Sequence, residues 1–202
     1  MAAEANAQEA ATNAEPDDTV FYLVPESAKA IQAVDRHRNT SIPVVTINGQ
    51  PALRIALGCS RTEFNLVRLG TNNTDDIVLV GTKKESRCYF CFHRVTGDLM
   101  LYDVSPTSNT VLISEDLDGE QPMHTAIMGA GQSQCAVVLR PYAGSNASRV
   151  YLLTIGKAHF KLFPEDRLGH IPLSAKSKYF STDNRQYSRA EPAAKGVHHR
   201  VV

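Results

Sequence analysis

From Ser41 onward the chain is cut into short apolar or alternating segments of four to eight residues, separated by turn clusters, with no helix-period stretch between them. The segments are "IPVVTI", "ALRIAL", "FNLVRL", "DIVLV", "CYFCFHRV", "DLMLYDV", "TVLI", "HTAIM", "CAVVLR" and "RVYLLTI". The breaks between them hold Asn-Gly, Thr-Asn-Asn-Thr-Asp, Thr-Gly-Asp, Ser-Pro-Thr-Ser-Asn, Gly-Ala-Gly-Gln and Ala-Gly-Ser-Asn, the residue types that supply turn geometry. Eight or more strands at this spacing, without intervening helices, predict an all-β sandwich or barrel. Asn48-Gly49 between two apolar runs is a strong hairpin signal, with Pro51 expected to shorten the second strand.

Ahead of this region stand "VFYLV", a strand candidate, and "PESAKAIQAVDRHR", which reads as one helix starting at Pro25 or Glu26. The expected organisation is therefore a disordered acidic head over 1–18, a strand and helix over 19–39 docked on the domain, a β-domain over 40–165, and a flexible basic tail over 166–202. A chain of 202 residues holds one such core with tails. The formal net charge of zero divides unevenly. Residues 1–18 carry five acids and no Lys or Arg, whereas from Arg167 onward seven Lys or Arg face two acids. The balanced body predicts no specific nucleic-acid and no membrane partner. The first residues lack a basic segment and an apolar segment, so they do not read as a signal peptide. Four Cys in such a chain fit thiols in a reducing, intracellular setting, nucleus or cytoplasm.

No catalytic constellation is present. Cys88 and Cys91 form a C-x-x-C, but inside a β-patterned run an offset of three sends the two sulfurs to opposite faces, so they read as structural thiols. Cys59 and Cys135 stand alone, without the second ligand pair that zinc needs. His93, His124, His159 and the pair His198-His199 show no metal-ligand spacing, and "GAGQSQ" at Gly129–Gln134 lacks the third Gly and following helix of a dinucleotide loop. The expectation is a protein that is not an enzyme and takes no cofactor and no metal. Phe90 and Phe92 should share a buried face with Cys88, against Leu99 and Leu101 on the next strand, with Tyr89, Cys91 and His93 turned the other way.

"LGTNNTDDIVL" (69–79), "ESRCYFCF" (85–92) and "TGDLMLYDVSPTSNT" (96–110) follow one another in the order, and nearly the spacing, of the forkhead-associated (FHA) pattern I-G-R, N-D-I-x-L, S-R-x-H, G-x-x-x-L-x-D and S-T-N-G-T. The segment 53–163 thus resembles an FHA domain. "FYLVPESAKAIQAV" and "AIMGAGQSQCAVVLRPY" are similar to divergent fungal FHA-like proteins.

The resemblance implies an FHA-like β-sandwich of about eleven strands that binds a phosphorylated protein or peptide, a phosphothreonine segment, through loops at one end; a kinase-signalling partner follows from it. Such a site gathers charge-assisted hydrogen bonds from rigid loops onto a dianionic phosphate. The family's phosphate-binding Ser falls on Ser86 and its neighbour on Arg87. The Arg of I-G-R becomes Thr71, and the His of S-R-x-H becomes Tyr89. In S-T-N-G-T, Thr107 is kept, Pro106 replaces Ser, Ser108 the peptide-gripping Asn, and Asn109 the Gly. Asp76, Ile77, Leu79, Asp103 and Thr110 keep the framework.

The expected phosphopeptide-binding set is Ser86, Arg87, Lys84, Thr71, Thr107 and Ser108, with Arg68 and Lys83 as further cations. Hydrogen bonds to charged groups contribute about 1.5 to 3 kcal/mol each. Losing the Arg and the Asn therefore removes roughly 3 to 6 of the about 8 kcal/mol in a micromolar complex. Two readings follow: a phosphothreonine-dependent module, and a degenerate FHA fold used for phosphate-independent interaction or self-association.

Overall fold

The computed structural model describes residues 18–36, 42–62, 64–81, 86–105, 110–115, 124–128, 136–139, 150–165, 168 and 170–180. In chain order these form β1 (Thr19–Pro25), α1 (Ala28–Arg36), β2 (Val44–Ile47), β3 (Gln50–Ala56), β4 (Val67–Gly70), β5 (Ile77–Val78), β6 (Arg87–Phe92), β7 (Leu99–Asp103), β8 (Thr110–Glu115), β9 (His124–Met128), β10 (Ala136–Leu139), β11 (Val150–Ile155), β12 (Ala158–Pro164) and α2 (Leu173–Lys176). The fold is mainly β, in two sheets. A seven-stranded sheet runs β2-β3-β1-β12-β11-β8-β9, and a five-stranded sheet runs β10-β7-β6-β4-β5, with β4 and β5 parallel. Among the described residues no helix is long and apolar enough to cross a membrane.

The inner faces share one apolar core. β6 contributes Cys88, Phe90 and Phe92, β7 Leu99 and Leu101, β4 Val67 and Leu69, while β1, β11 and β12 supply Phe21, Leu23, Leu153, Phe160 and Leu162. Phe21 and Phe90 meet across the two sheets with ring centroids 4.6 Å apart. Phe90 stands opposite Leu101 and Phe92 opposite Leu99, the cross-strand cluster the alternation predicts. Tyr89, Cys91, Met100 and Tyr102 form a separate cluster, with Tyr89 stacked on Tyr102 at 4.9 Å.

The β2–β3 hairpin turns at Asn48-Gly49 with φ of 50° and 79°, as a two-residue turn with both centres in the left-handed region requires. Pro51 does not shorten β3, which begins at Gln50 and pairs Pro51 with Thr46. The register with β1 stops at Leu23 opposite Leu53, so the N–H that Pro51 lacks has no strand waiting for it.

Three expectations of organisation need revising. β1 is integral to the seven-stranded sheet: it lies between β3 and β12 and hydrogen-bonds to both, so the strand-and-helix segment is not simply docked on a domain of 40–165. Its nearly continuous apolar run fits a central strand. α1 starts at Ala28, after Ser27, whose hydroxyl accepts from the Ala30 N–H (3.3 Å) and the His159 N–H (3.0 Å) and donates to the Lys157 carbonyl (3.1 Å). Pro25 belongs to β1.

The expected flexible tail from 166 onward contains a packed segment, of which 168 and 170–180 are described. Leu168 is buried, α2 continues into a 3₁₀ turn at Ser177–Tyr179, and Phe180 bridges to Phe92 beside β6. Lys176 is also buried: its Nζ donates to the Gly97 carbonyl at 3.1 Å and lies 5.2 Å from the Phe92 ring centroid. A basic composition hid this anchoring, because the ammonium finds a carbonyl and a ring face in place of water. Residues 1–17 and 181–202 lie outside the described residues.

Candidate functional site

The described parts of the segments 69–79, 85–92 and 96–110 meet at one end of the two sheets, where β4 ends, β6 begins and β7 runs out. At Gly70 a side chain would collide with the Asp75 carboxylate and lie 2.9 Å from the Ser86 carbonyl oxygen. Glycine there lets the turn after β4 close tightly on the start of β6. Thr71 N–H donates to that Ser86 carbonyl (3.1 Å), and Leu79 N–H to the Gly70 carbonyl (2.7 Å). Within the turn, Asp75 Oδ2 accepts from the Asn72 N–H (3.0 Å) and Asn72 Oδ1 from the Thr74 N–H (3.3 Å).

Arg87 opens β6. Its N–H donates to Ser105 Oγ (2.8 Å), and its carbonyl accepts from the Ser105 hydroxyl (3.2 Å) and the Val104 N–H (3.0 Å). Ser105 N–H donates to Asp103 Oδ1 (2.9 Å). Ser105 therefore ties the loop after β7 to β6, a role the motif comparison passes over because it matches the residues from 106 onward. The Arg87 side chain turns back: Nε lies 2.9 Å from Oδ1 of Asp75, whose side chain is fully buried. Its N–H is not aimed along that line, so the pair is an ion pair without a well-formed hydrogen bond to Oδ1.

The structure thus brings Thr71, Ser86 and Arg87 together. Lys84, Thr107 and Ser108 lie outside the described residues, as do Lys83, Pro106 and Asn109. Ser86 is 1% exposed and its hydroxyl has no hydrogen-bond partner. Arg68 does not serve this end. With the Asn65 amide oriented oxygen-inward, that oxygen accepts from Arg68 Nε (2.9 Å) and Nη2 (3.1 Å).

Four buried side-chain atoms among the described residues lack a hydrogen-bond partner: Asp75 Oδ1, which has only its ion pair with Arg87, Ser86 Oγ, Asp103 Oδ2 and Thr110 Oγ1. All four belong to this end. Ser86 stands two residues before the core-facing Cys88, Asp103 pairs with Cys88, and Thr110 starts β8 two residues before buried Leu112. Burial pushes the Cys88 thiol well above its ordinary pKa, and the negative field of Asp103, then of Asp75, adds to it. The atoms without hydrogen bonds are therefore two carboxylate oxygens, which only accept, and two hydroxyls, beside a guanidinium already facing Asp75.

The C-x-x-C does separate as its spacing requires. Cys88 faces the shared core and Cys91 the Met100–Tyr102 cluster, and both are free and buried. His93 is a turn residue, its Nδ1 3.0 Å from the Thr96 hydroxyl. Among the described residues no three His, Cys, Asp or Glu side chains are grouped to hold a metal. Comparison with protein-family models, curated proteins and solved structures finds no match to this chain.

Proposed function

We propose that the chain is a non-catalytic protein-interaction module on an FHA-like β-sandwich, and that it engages its partner without requiring phosphothreonine. One observation carries the reading: the residue aligned with the family's phosphate-binding Ser is sealed from solvent, while the neighbouring Arg87 is held against buried Asp75. A phosphate at this place would have to open the Ser86 hydroxyl to solvent and compete with a carboxylate for the one described guanidinium.

The phosphothreonine-dependent reading stands second. What favours it is the unpartnered Ser86 hydroxyl beside a guanidinium side chain that keeps 33% exposure. Titration against a degenerate phosphothreonine peptide library and its unphosphorylated twin separates the two. The proposed reading expects affinities within about twofold for the twins, and no change in Ser86→Ala or Arg87→Ala. A preference for phosphate of tenfold or more, lost in Ser86→Ala, would establish the second reading instead.

A further inference from the structure

Four large apolar side chains are exposed among the described residues: Ile31 at 47%, Phe64 at 55%, Val95 at 78% and Leu173 at 52%. Ile31 lies on α1. The other three stand at the end of the fold opposite Ser86 and Thr71, where β4 begins, β6 ends and β12 runs out. Phe64 stands in the loop before β4, Val95 in the β6–β7 turn, and Leu173 on α2.

α2 and the turn after it join the two loops. Leu173 packs so closely on Gly97 that a Cβ there would lie 2.6 Å from its Cδ2. The Tyr179 hydroxyl lies 3.8 Å from where a Cβ on Gly58 would stand. Each loop is also held from within. Asp76 takes hydrogen bonds from the Ser60 hydroxyl, the Arg61 N–H and the Arg68 N–H, each at 2.8 Å, and Cys59 Sγ donates to the Leu66 carbonyl at 3.4 Å. In the turn, Thr96 Oγ1 donates to Asp98 Oδ2 at 2.7 Å and Gly97 N–H to the His93 carbonyl at 2.8 Å. The apolar groups are thus displayed on ordered supports, which lowers the entropy cost of binding through them.

Among the described residues the unpaired exposed charge around them is positive, since the Asp18 carboxylate, also at this end, is paired with Arg54 at 3.1 Å. Arg61, Arg94 and Lys178 are exposed, whereas Asp98 is half-buried and engaged by Thr96.

We propose that this end, centred on Phe64, Val95 and Leu173, is a docking surface for a short acidic segment of a partner protein that inserts apolar side chains between them. Exposed apolar anchors rimmed by charge mark interaction sites, and aromatic and Arg side chains carry much of the energy where they occur. Acidic flanks on the partner answer Arg61, Arg94 and Lys178, so binding weakens as salt rises. The proposal rests on the interaction-module reading and adds to it a surface and a partner chemistry.

The test selects random 12-residue peptides displayed on phage against the full chain, then measures the enriched peptides by fluorescence anisotropy. The expected result is peptides with Asp or Glu beside Leu or Phe, whose affinity falls tenfold or more in Phe64→Ser/Val95→Ser/Leu173→Ser. Arg61→Glu/Arg94→Glu, which leaves the apolar anchors in place, should independently weaken them about tenfold, while Ser86→Ala leaves them within twofold. Peptides that bind the triple variant unchanged overturn this surface but leave the interaction-module reading intact. Selection of no peptide at all overturns both. A dimer seen by sedimentation and dissolved by the triple variant makes a second copy the occupant, and overturns the acidic partner.

Discussion

Asp76 accepts three hydrogen bonds, from the adjacent Ser60 and Arg61 and from Arg68, while only 2% exposed. A carboxylate so enclosed is stabilised by its donors, and removing it leaves two backbone N–H groups unsatisfied, while the Ser60 hydroxyl keeps its contact with the Thr62 hydroxyl. Hydrogen bonds to charged groups contribute about 1.5 to 3 kcal/mol each, but such contributions are not additive. Asp76→Ala is therefore expected to lower stability by about 3 kcal/mol, read as a lower urea midpoint at unchanged slope. An unmoved midpoint would mean that the 59–66 loop is organised by its apolar residues alone. The partners Ser60 and Arg61 of Asp76 were not legible in the sequence. They lie 16 and 15 positions away and meet it only because β5 runs parallel beside β4.

At the scale of elements, the β6–β7 hairpin and α2 depend on each other through Gly97. Its φ of 69° lies in the left-handed region, and Leu173 fills the space a side chain would need. Gly97→Val is expected to cost about 2 kcal/mol, combining backbone strain with displacement of Leu173. It should also speed tryptic cleavage after Lys176 and Lys178; cleavage at the wild-type rate would show that α2 docks without this turn. β12 was legible in "AHFKLFP", where Ala158, Phe160 and Leu162 alternate with His159 and Lys161, but the strand reading above stopped at Ile155. Strand β5 was overestimated: of "DIVLV" only Ile77 and Val78 pair, because the parallel contact with β4 ends where β4 does.

Over the whole molecule, one core joins both sheets, so titration of a buried group acts on global stability. Burial pushes the Cys59 thiol up to about 11 and the Cys88 thiol well above its ordinary value. In the unfolded chain both ionise near pH 9. Between pH 9 and 11 the unfolded state therefore releases protons that the folded state keeps, and stability falls as pH rises. Lys176 acts in the opposite sense: burial lowers its pKa, so the unfolded chain holds that proton longer. Burial raises the Tyr179 phenol as well, so two thiols and a phenol against one ammonium leave a net decline. Cys59 alone accounts for about 2 to 3 kcal/mol across the window, from a rise of about two units at 1.36 kcal/mol each. Denaturation midpoints followed from pH 8 to 11 should fall, and Cys59→Ala should flatten the curve. A rise would mean that the thiols reach solvent in the folded state.

The sequence by itself determined a mainly-β chain, the Asn48-Gly49 hairpin, the opposite faces of Cys88 and Cys91 and the pairing of Phe90 and Phe92 with Leu101 and Leu99. Each of these follows from local period and turn chemistry, which act over a few residues. Only the tertiary structure decided that β1 lies inside a sheet, that Lys176 and its neighbours clasp the β6–β7 turn, and that Ser86 is buried with Arg87 turned toward Asp75. Those outcomes depend on which distant groups are brought together, and a motif specifies residue types without specifying what packs over them. The same serine and arginine can face solvent in one packing and a buried carboxylate in another.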